Sequence, residues 1–260
     1  MSFTLSEVLP GVWHIADPMD VCVTLLAGEE RALLVDTGYG LEDIAACVRS
    51  VTDRLTDVLL THGHHDHALG AHRFERVWLF PEDEPVYRTY TNDHWRRHVL
   101  EGACQRGLAV DEQAILAAEM PPCAPPPAAV DLGGMTAHIR CVPGHTPGSA
   151  VVWVPERELL LTGDDWNPVT WCFFPEALSV RDYRASVRRL LELPFRHVLC
   201  SHRHRLFPRE AFESFLNGLT DEVILAAEPS GEGAGMGIDT VTAHPTADGT
   251  IVFDRVKAAL

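Results

Sequence analysis

The stretch Thr61-His62-Gly63-His64-His65-Asp66-His67 follows the apolar run Val58-Leu59-Leu60 and holds four imidazoles and one carboxylate in seven positions. Imidazole and carboxylate are ligands that borderline divalent ions such as zinc accept. On a turn between a strand and a helix, His62 and His64 can hold one ion, while Asp66 and His67 are offset towards a second. A polar surface loop is the alternative interpretation. The density of ligands predicts a metal site.

The composition limits the class of protein. The chain has 260 residues, of which 46% are hydrophobic, so it can bury a sizeable core as one large domain or two small ones. The net charge of −16 argues against a nucleic-acid partner, because such binding depends on Lys and Arg that neutralise phosphates. No signal peptide or membrane-length apolar run is evident, which predicts a cytoplasmic protein with no membrane partner. Seven cysteines without a C-x-x-C pair favour reduced thiols.

The N-terminal part alternates strands and helices. Two apolar runs, 21–26 and 31–36, flank a Gly-containing turn and predict a β-hairpin. Apolar residues at helical spacing predict a helix over 41–51, and residues 57–60 predict a strand that runs into the histidine stretch. Residues 68–74 are expected to continue as a helix and 77–80 as a buried strand. Asp36, at a strand end, is either a loop-capping residue or a group beside a site.

Residues 81–128 differ in composition from the rest of the chain. Three charged, helix-forming segments, 82–90, 92–105 and 111–119, precede a proline-rich arm over 120–127. Because proline cannot continue a helix and stiffens a connector, we expect a helical insertion that returns through this arm. It carries Tyr87, Tyr90 and Trp95, and we predict that it closes over the site as a lid. A plain surface subdomain is the alternative.

Three further strand ends carry candidate ligands. The predicted strand 136–142 runs into His145, which lies between two Pro/Gly turns, and strand 158–161 leads to Asp164. Strand 197–200 ends at Ser201-His202-Arg203-His204. A histidine held on a stiff loop at a strand end can be positioned as a ligand, and core histidines rarely lie there. We also predict a helix over 180–193 and, over 229–260, a Gly-rich loop with a C-terminal hairpin.

The order of these motifs resembles the metallo-β-lactamase-fold hydrolase superfamily, in its glyoxalase II or lactonase-like branch. That family has an Asp after an early strand, then H-x-H-x-D-H, a lone His, an Asp and a final His, which match Asp36, His62 to His67, His145, Asp164 and His202. The resemblance implies an α+β fold, an αββα four-layer sandwich, with residues 1–260 as a single domain. It also implies one ion bound by His62, His64 and His145, a second bound by Asp66, His67 and His202, and Asp164 as a bridge.

This ligand set predicts the chemistry. Two divalent ions, with zinc favoured and iron or manganese as alternatives, can share a hydroxide at neutral pH because zinc lowers the pKa of bound water to about 7. Asp66 would both bind metal and handle a proton. We expect a hydrolase of an ester, lactone, thioester or similar bond in a small-molecule substrate. The alternatives are an iron-dependent oxidoreductase of the same fold, similar to a persulfide dioxygenase, and a non-catalytic metal-binding protein.

Two features concern the surroundings of the metals. Many relatives end in Gly-His, whereas Ser201 precedes His202 here, and His204 competes with His202 as the ligand. With His202 as the ligand, we predict that His204 and Arg203 face the cleft and hold an anionic or carbonyl group of the substrate, with His204 as a catalytic residue. The aromatic stretch 166–175 either packs against the sheet edge or lines the cleft, and the second case predicts a substrate with an apolar part. The sequence is compatible with a homodimer.

Overall fold

The computed structural model describes residues 3–258, which form three sheets and eight helices. The strands are β1 Thr4–Leu9, β2 Val12–Ala16, β3 Cys22–Ala27, β4 Ala32–Val35, β5 Thr56–Leu59, β6 Val77–Trp78, β7 Ala129–Asp131, β8 Thr136–Cys141, β9 Ala150–Val154, β10 Leu159–Leu161, β11 Val169–Cys172, β12 His197–Leu199, β13 Phe207–Pro208, β14 Glu228–Pro229, β15 Thr240–Thr246 and β16 Gly249–Asp254. The helices are α1 Ile44–Val51, α2 His65–Ala68, α3 Glu84–Tyr90, α4 Asp93–Gln105, α5 Glu112–Ala117, α6 Val180–Arg188, α7 Arg209–Gly218 and α8 Asp221–Leu225.

Two six-stranded mixed sheets make the centre of the fold. The first has the order β1-β2-β3-β4-β5-β6, in which β4, β5 and β6 are parallel and the other neighbours antiparallel. The second has the order β13-β12-β10-β9-β8-β7, in which β10 and β12 are the parallel pair. Strands β3 and β4 form the predicted hairpin. Because neighbouring parallel strands end at the same edge of a sheet, each sheet has an edge where several loops meet.

The alternation of side chains along the strands builds the layers. Leu33 and Val35 of β4 point into a core between the two sheets, which also contains residues of β9, β10 and β12. Leu34 points the other way and packs with Ile44 of α1. On the outer face of the second sheet, a third cluster includes Tyr183 of α6 together with α7. The layers follow in the order helix, sheet, sheet, helix, which confirms the α+β sandwich. Strands buried on both faces need packing elements on both, and here each sheet packs against the other sheet on one face and against helices on the other.

A third sheet, with the order β11-β16-β15-β14, was not predicted as a whole. Strands β15 and β16 are the predicted C-terminal hairpin, and β11 pairs with β16 in parallel. The aromatic stretch 166–175, in which the sequence predicted no strand, therefore contains β11. Exposed Val169 and Trp171 alternate there with buried Thr170 and Cys172, as on the edge of a half-buried sheet. The sequence also did not predict β1, β2, β7, β13, β14, α7 and α8.

Segment 81–128 contains α3, α4 and α5, close to the three predicted helices. Helix α4 begins where the Asn92 side chain accepts the Trp95 backbone N–H. Tyr87 is buried in the cluster on the outer face of the first sheet, and its hydroxyl donates to the Pro121 carbonyl at 3.0 Å. The first helix of the segment is thus tied to the proline arm, while its role as an inserted lid stays a prediction. Within residues 3–258, no helix combines the length and hydropathy that a membrane crossing requires.

Candidate metal centre

The predicted ligands come together at the edge where the parallel strands end. The His62 to His67 stretch follows β5 and enters α2, His145 lies between β8 and β9, Asp164 follows β10, and His202 follows β12. Three groups of these residues place their ligand atoms within 4.8 Å of one another. The fold therefore assembles side chains that are far apart in the chain.

His62, His64 and His145 form the first cluster and are all buried. The Nδ1 atom of His64 lies 3.0 Å from Nε2 of His62 and 3.0 Å from Nε2 of His145. Nitrogens around a tetrahedral zinc ion are about 3.3 Å apart, because Zn–N bonds measure roughly 2.0–2.1 Å. The spacing of the three nitrogens therefore suits one ion.

Asp66, His67 and His202 form the second cluster. The Oδ2 atom of Asp66 lies 3.4 Å from Nε2 of His67 and 3.6 Å from Nε2 of His202. The Oδ2 atom of Asp164 lies 3.0 Å from Nε2 of His202, 3.6 Å from that of His67 and 3.8 Å from that of His145. One oxygen of Asp164 is thus close to both clusters, as a bridging ligand must be.

Hydrogen bonds on the far side of the rings select the nitrogens that face the clusters. The Thr61 hydroxyl donates to Asp36 at 2.8 Å, so its oxygen is left to accept from Nδ1 of His62 at 3.0 Å. Asp36 also accepts from Nδ1 of His67 at 2.9 Å. Such bonds fix the tautomer and orientation of histidine ligands. Asp36 is therefore a group beside the site, which is one of the two roles left open by the sequence.

The electrostatics of the site favour bound cations. The Nε2 atom of His67 is buried and has no hydrogen-bond partner among the described residues. Burial raises the pKa of Asp164, but the charges of His202 and His67 outweigh it and hold this pKa well below its ordinary value. Burial lowers the pKa of His67, and the charges of Asp66 and Asp164 outweigh it and keep this pKa well above its ordinary value. These buried carboxylates need positive charge beside them, and divalent ions supply it.

Asn167, which was not predicted from the sequence, forms hydrogen bonds to two candidate ligands. It is buried, and its Nδ2 donates to Oδ1 of Asp164 at 3.2 Å. Its Oδ1 accepts the backbone N–H of His202 at 3.2 Å. One side chain thus fixes the Asp164 carboxylate relative to His202. Its place three residues after Asp164 was the only signal in the sequence.

Asp83, also missed, joins the two loops that carry the first cluster. It is 0% exposed, and its carboxylate accepts the backbone N–H of Gly63 at 2.6 Å and that of Gly148 at 2.9 Å. A side chain at either glycine would collide with the segment around Asp83, because a Cβ at Gly63 would lie 2.2 Å from the Tyr87 nitrogen and one at Gly148 would lie 2.7 Å from the Asp83 nitrogen. The sequence gives no signal for this role, since Asp83 lies in a charged segment that resembles a surface helix.

The structure does not bring His204 to the cleft, contrary to the expectation that it contacts substrate. Its side chain is exposed, and its Nε2 lies 3.0 Å from the carbonyl oxygen of His14 on β2. The two imidazole rings stack with centroids 5.5 Å apart. The His14 ring also bonds the Arg203 carbonyl at 3.1 Å, which holds the turn so that His204 faces β2. His202 lies at the second cluster, and Arg203 lines the cleft.

A cleft of about 430 Å³ opens onto the two clusters. Its polar floor includes His64, Asp66, Asp164 and His202, and its apolar wall includes Tyr39, Tyr90, Val169, Trp171 and Phe174. The rings of Tyr90 and Phe174 lie 4.4 Å and 4.6 Å from the ring of His64. Trp166 and Phe173 are buried elsewhere. Both interpretations of the aromatic stretch are therefore partly correct, since two of its rings line the cleft and two pack inside.

The chain is similar to known proteins in sequence and in fold. The chain is 25% identical over 207 residues to human acyl-coenzyme A thioesterase MBLAC2, covering 66% of this chain and 67% of that protein. A structure of TTHA1623 in a di-iron-bound form superposes with a TM-score of 0.56 at 24% identity, over 75% of this chain and 94% of the other. The metallo-beta-lactamase family protein TTHA1429 from Thermus thermophilus gives a TM-score of 0.53 at 20% identity, over 95% and 99%.

The match to a family model settles the relationship. The model of the metallo-beta-lactamase superfamily matches residues 16–202, a range that begins in β2 and ends at the final histidine of the second cluster. All the candidate ligands lie within the matched range. The chain belongs to the metallo-beta-lactamase superfamily.

Proposed function

We propose that this metal-dependent hydrolase uses two metal ions to cleave a thioester or related ester in a small molecule with an apolar acyl part. The observation that carries the proposal is the cleft, in which two ligand clusters form the floor and aromatic rings form the wall. Such a mixture of an apolar wall and a few convergent polar groups is usual for small-molecule sites. The name of the human relative, an acyl-coenzyme A thioesterase, favours the thioester among the bonds considered.

The residues of this chain have distinct roles in the proposed reaction. When bound, two divalent ions would polarise the acyl carbonyl and lower the pKa of the attacking water. Asp66 lines the cleft and can hold the proton that the leaving group needs. Phe174 and Trp171 would hold the acyl part against the floor, which raises the fraction of reactive orientations. Arg203 offers a positive charge to an anionic carrier of the thiol.

The metals and the setting of the protein are further parts of the proposal. We propose zinc at both clusters, because histidine and carboxylate donors at this spacing suit it, with iron and manganese as alternatives. A cytoplasmic location, a homodimer and the absence of nucleic-acid partners remain predictions from the sequence.

The first experiment measures metal content and thioester hydrolysis on the same preparation. Protein purified without chelator should contain two zinc ions per chain by elemental mass spectrometry and should release free thiol from acyl-coenzyme A. His64→Ala and Asp164→Ala should each abolish turnover while the far-ultraviolet circular dichroism stays near that of the wild type. One iron per chain without thiol release would instead favour the iron-dependent oxidoreductase. Two bound metals with no hydrolysis of any thioester, ester or lactone would refute the proposed reaction.

The second experiment tests the predicted lid. Deleting 84–124 would remove Tyr87 from the core, so point variants are the cleaner test. Trp95 stacks on His65 with centroids 4.7 Å apart and lies equally close to Tyr90, which lines the cleft. Trp95→Ala should lower kcat/KM for a long-chain thioester about tenfold more than for an acetyl thioester, because only the long chain reaches the segment. Equal losses would contradict the lid.

A further inference from the structure

Glu176 lies next to the first cluster, although no sequence pattern indicated it. Its Oε1 atom lies 2.6 Å from Nε2 of His64, and its side chain is 16% exposed. At this distance the carboxylate accepts the Nε2–H of the imidazole, so the lone pair of His64 is on Nδ1. Nδ1 is the atom that points at the other two histidines of the cluster.

His64 differs in this respect from the other histidines of the first cluster. His62 and His145 present Nε2 to the cluster, and their Nδ1 atoms are bonded behind the ring to Thr61 and to the Trp171 carbonyl. His64 alone among these three presents Nδ1, so its ring must be turned and protonated the opposite way. A histidine without a partner can adopt either tautomer, and the wrong one would place an N–H at the metal position.

Neighbouring segments hold the loop that carries Glu176 and the His64 ring that it contacts. Lys257, near the C-terminus, donates from Nζ to the carbonyls of Phe174, Pro175 and Ala177 at 2.8, 2.7 and 2.7 Å, and so closes the loop around Glu176. Tyr90 of α3 packs against the His64 ring, with the ring centroids 4.4 Å apart. The C-terminal segment and α3 therefore both contribute to the surroundings of the Glu176–His64 pair.

We propose that Glu176 is a positioning residue that fixes the His64 imidazole for metal binding through Nδ1, with Lys257 as the group that anchors its loop. The inference rests on the proposed two-metal function. It adds that the C-terminal segment, beyond the range of the family match, completes the first metal site.

The test compares Glu176→Leu with Glu176→Gln. Leucine keeps much of the bulk and accepts no hydrogen bond, whereas the glutamine oxygen can still accept the Nε2–H. Titration of chelator-treated protein with zinc against a competing dye should show that Glu176→Leu binds one of its two ions about 10- to 100-fold more weakly, since partners of metal-ligating histidines typically contribute that much. Glu176→Gln should stay within about threefold of the wild type. Glu84→Leu, which removes a carboxylate paired with Arg88 on the surface, is the matched control and should bind both ions normally.

Lys257→Met gives an independent measurement if Glu176→Leu folds poorly. It should weaken the same ion, by less than Glu176→Leu does, and it leaves all ligands intact. Cobalt-substituted protein should show a changed visible spectrum in Glu176→Leu and a restored one in Glu176→Gln. Equal affinities and spectra in all variants would refute the inference while leaving the two-metal proposal standing. Wild-type protein that fails to bind two ions would refute the proposed function itself.

Discussion

Asp83 offers the sharpest test of how the fold holds the first cluster. Asp83→Asn keeps the shape of the side chain but replaces one acceptor oxygen by an NH₂ group. The wild-type carboxylate accepts from Gly63 and Gly148 with different oxygens, so the amide can satisfy one N–H and must oppose the other. A buried hydrogen bond to a charged group contributes about 1.5–3 kcal/mol, and a buried N–H without a partner costs about 1–3 kcal/mol. We therefore expect Asp83→Asn to lower the free energy of unfolding by about 2–4 kcal/mol.

Urea unfolding and metal titration measure the two consequences of this change. The midpoint should fall with little change in the slope, because the surface exposed on unfolding stays the same. Zinc affinity at the first cluster should fall too, since the two tethered loops carry all three of its histidines. Asp131→Asn is the matched control, because Asp131 accepts a single N–H, from Gly133, in an exposed turn, and it should cost less than about 0.5 kcal/mol. If Asp83→Asn were as stable as this control and bound zinc like the wild type, the reasoning would be refuted.

Three further outcomes are expected. His202→Ala should lower the occupancy of the second metal. His204→Ala should keep both ions and change kcat/KM less than about twofold, because His204 lies away from the cleft. Metal analysis that shows the reverse would move the ligand assignment to His204. Phe174→Ala should lower kcat/KM for a long-chain thioester by about 10- to 100-fold and have a smaller effect on an acetyl thioester, because roughly one to three kcal/mol of apolar contact is lost. Measuring kcat/KM for a series of acyl chain lengths checks this difference. Burial lowers the pKa of His14 from 6.5 to about 4. Between these pH values the imidazole is protonated in the unfolded chain but neutral in the folded protein. The free energy of unfolding should therefore fall by about 3 kcal/mol as the pH drops from 6.5 to 4 because of His14. Unfolding curves of His14→Gln should lack this contribution. Parallel pH profiles of the free energy of unfolding in the variant and the wild type would contradict the prediction.

The candidate metal ligands could be predicted from the sequence for a physical reason. A metal ion needs a few donor types, and parallel strands deliver their C-terminal loops to a common edge, so ligands appear as His and Asp directly after apolar runs. The His62 to His67 stretch, His145, Asp164 and His202 follow this pattern. Asp36 also follows an apolar run, but it lies beside the site and accepts a hydrogen bond from His67. Several strands of the two central sheets were predictable because they are short apolar runs with turn residues between them. The strands β1, β2, β7 and β13 were not predicted, and the arrangement of two facing sheets was implied by the family resemblance.

The tertiary structure alone decided which atoms of those residues meet and what holds them. Glu176 is 112 positions from His64, and Asp83 is 65 positions from Gly148, so no local spacing could relate them. The third sheet was not predicted because β11 pairs with β16, which lies far along the chain. Without a known partner strand, a short segment rich in Trp and Phe cannot be told from a buried loop. His204 was misplaced for a related reason. His204 follows His202 closely and has the side chain of a catalytic residue, so the sequence placed it in the cleft. In the structure its ring stacks on His14 of the first sheet and faces away from the cleft. A contact between such distant segments forms only when the whole chain packs.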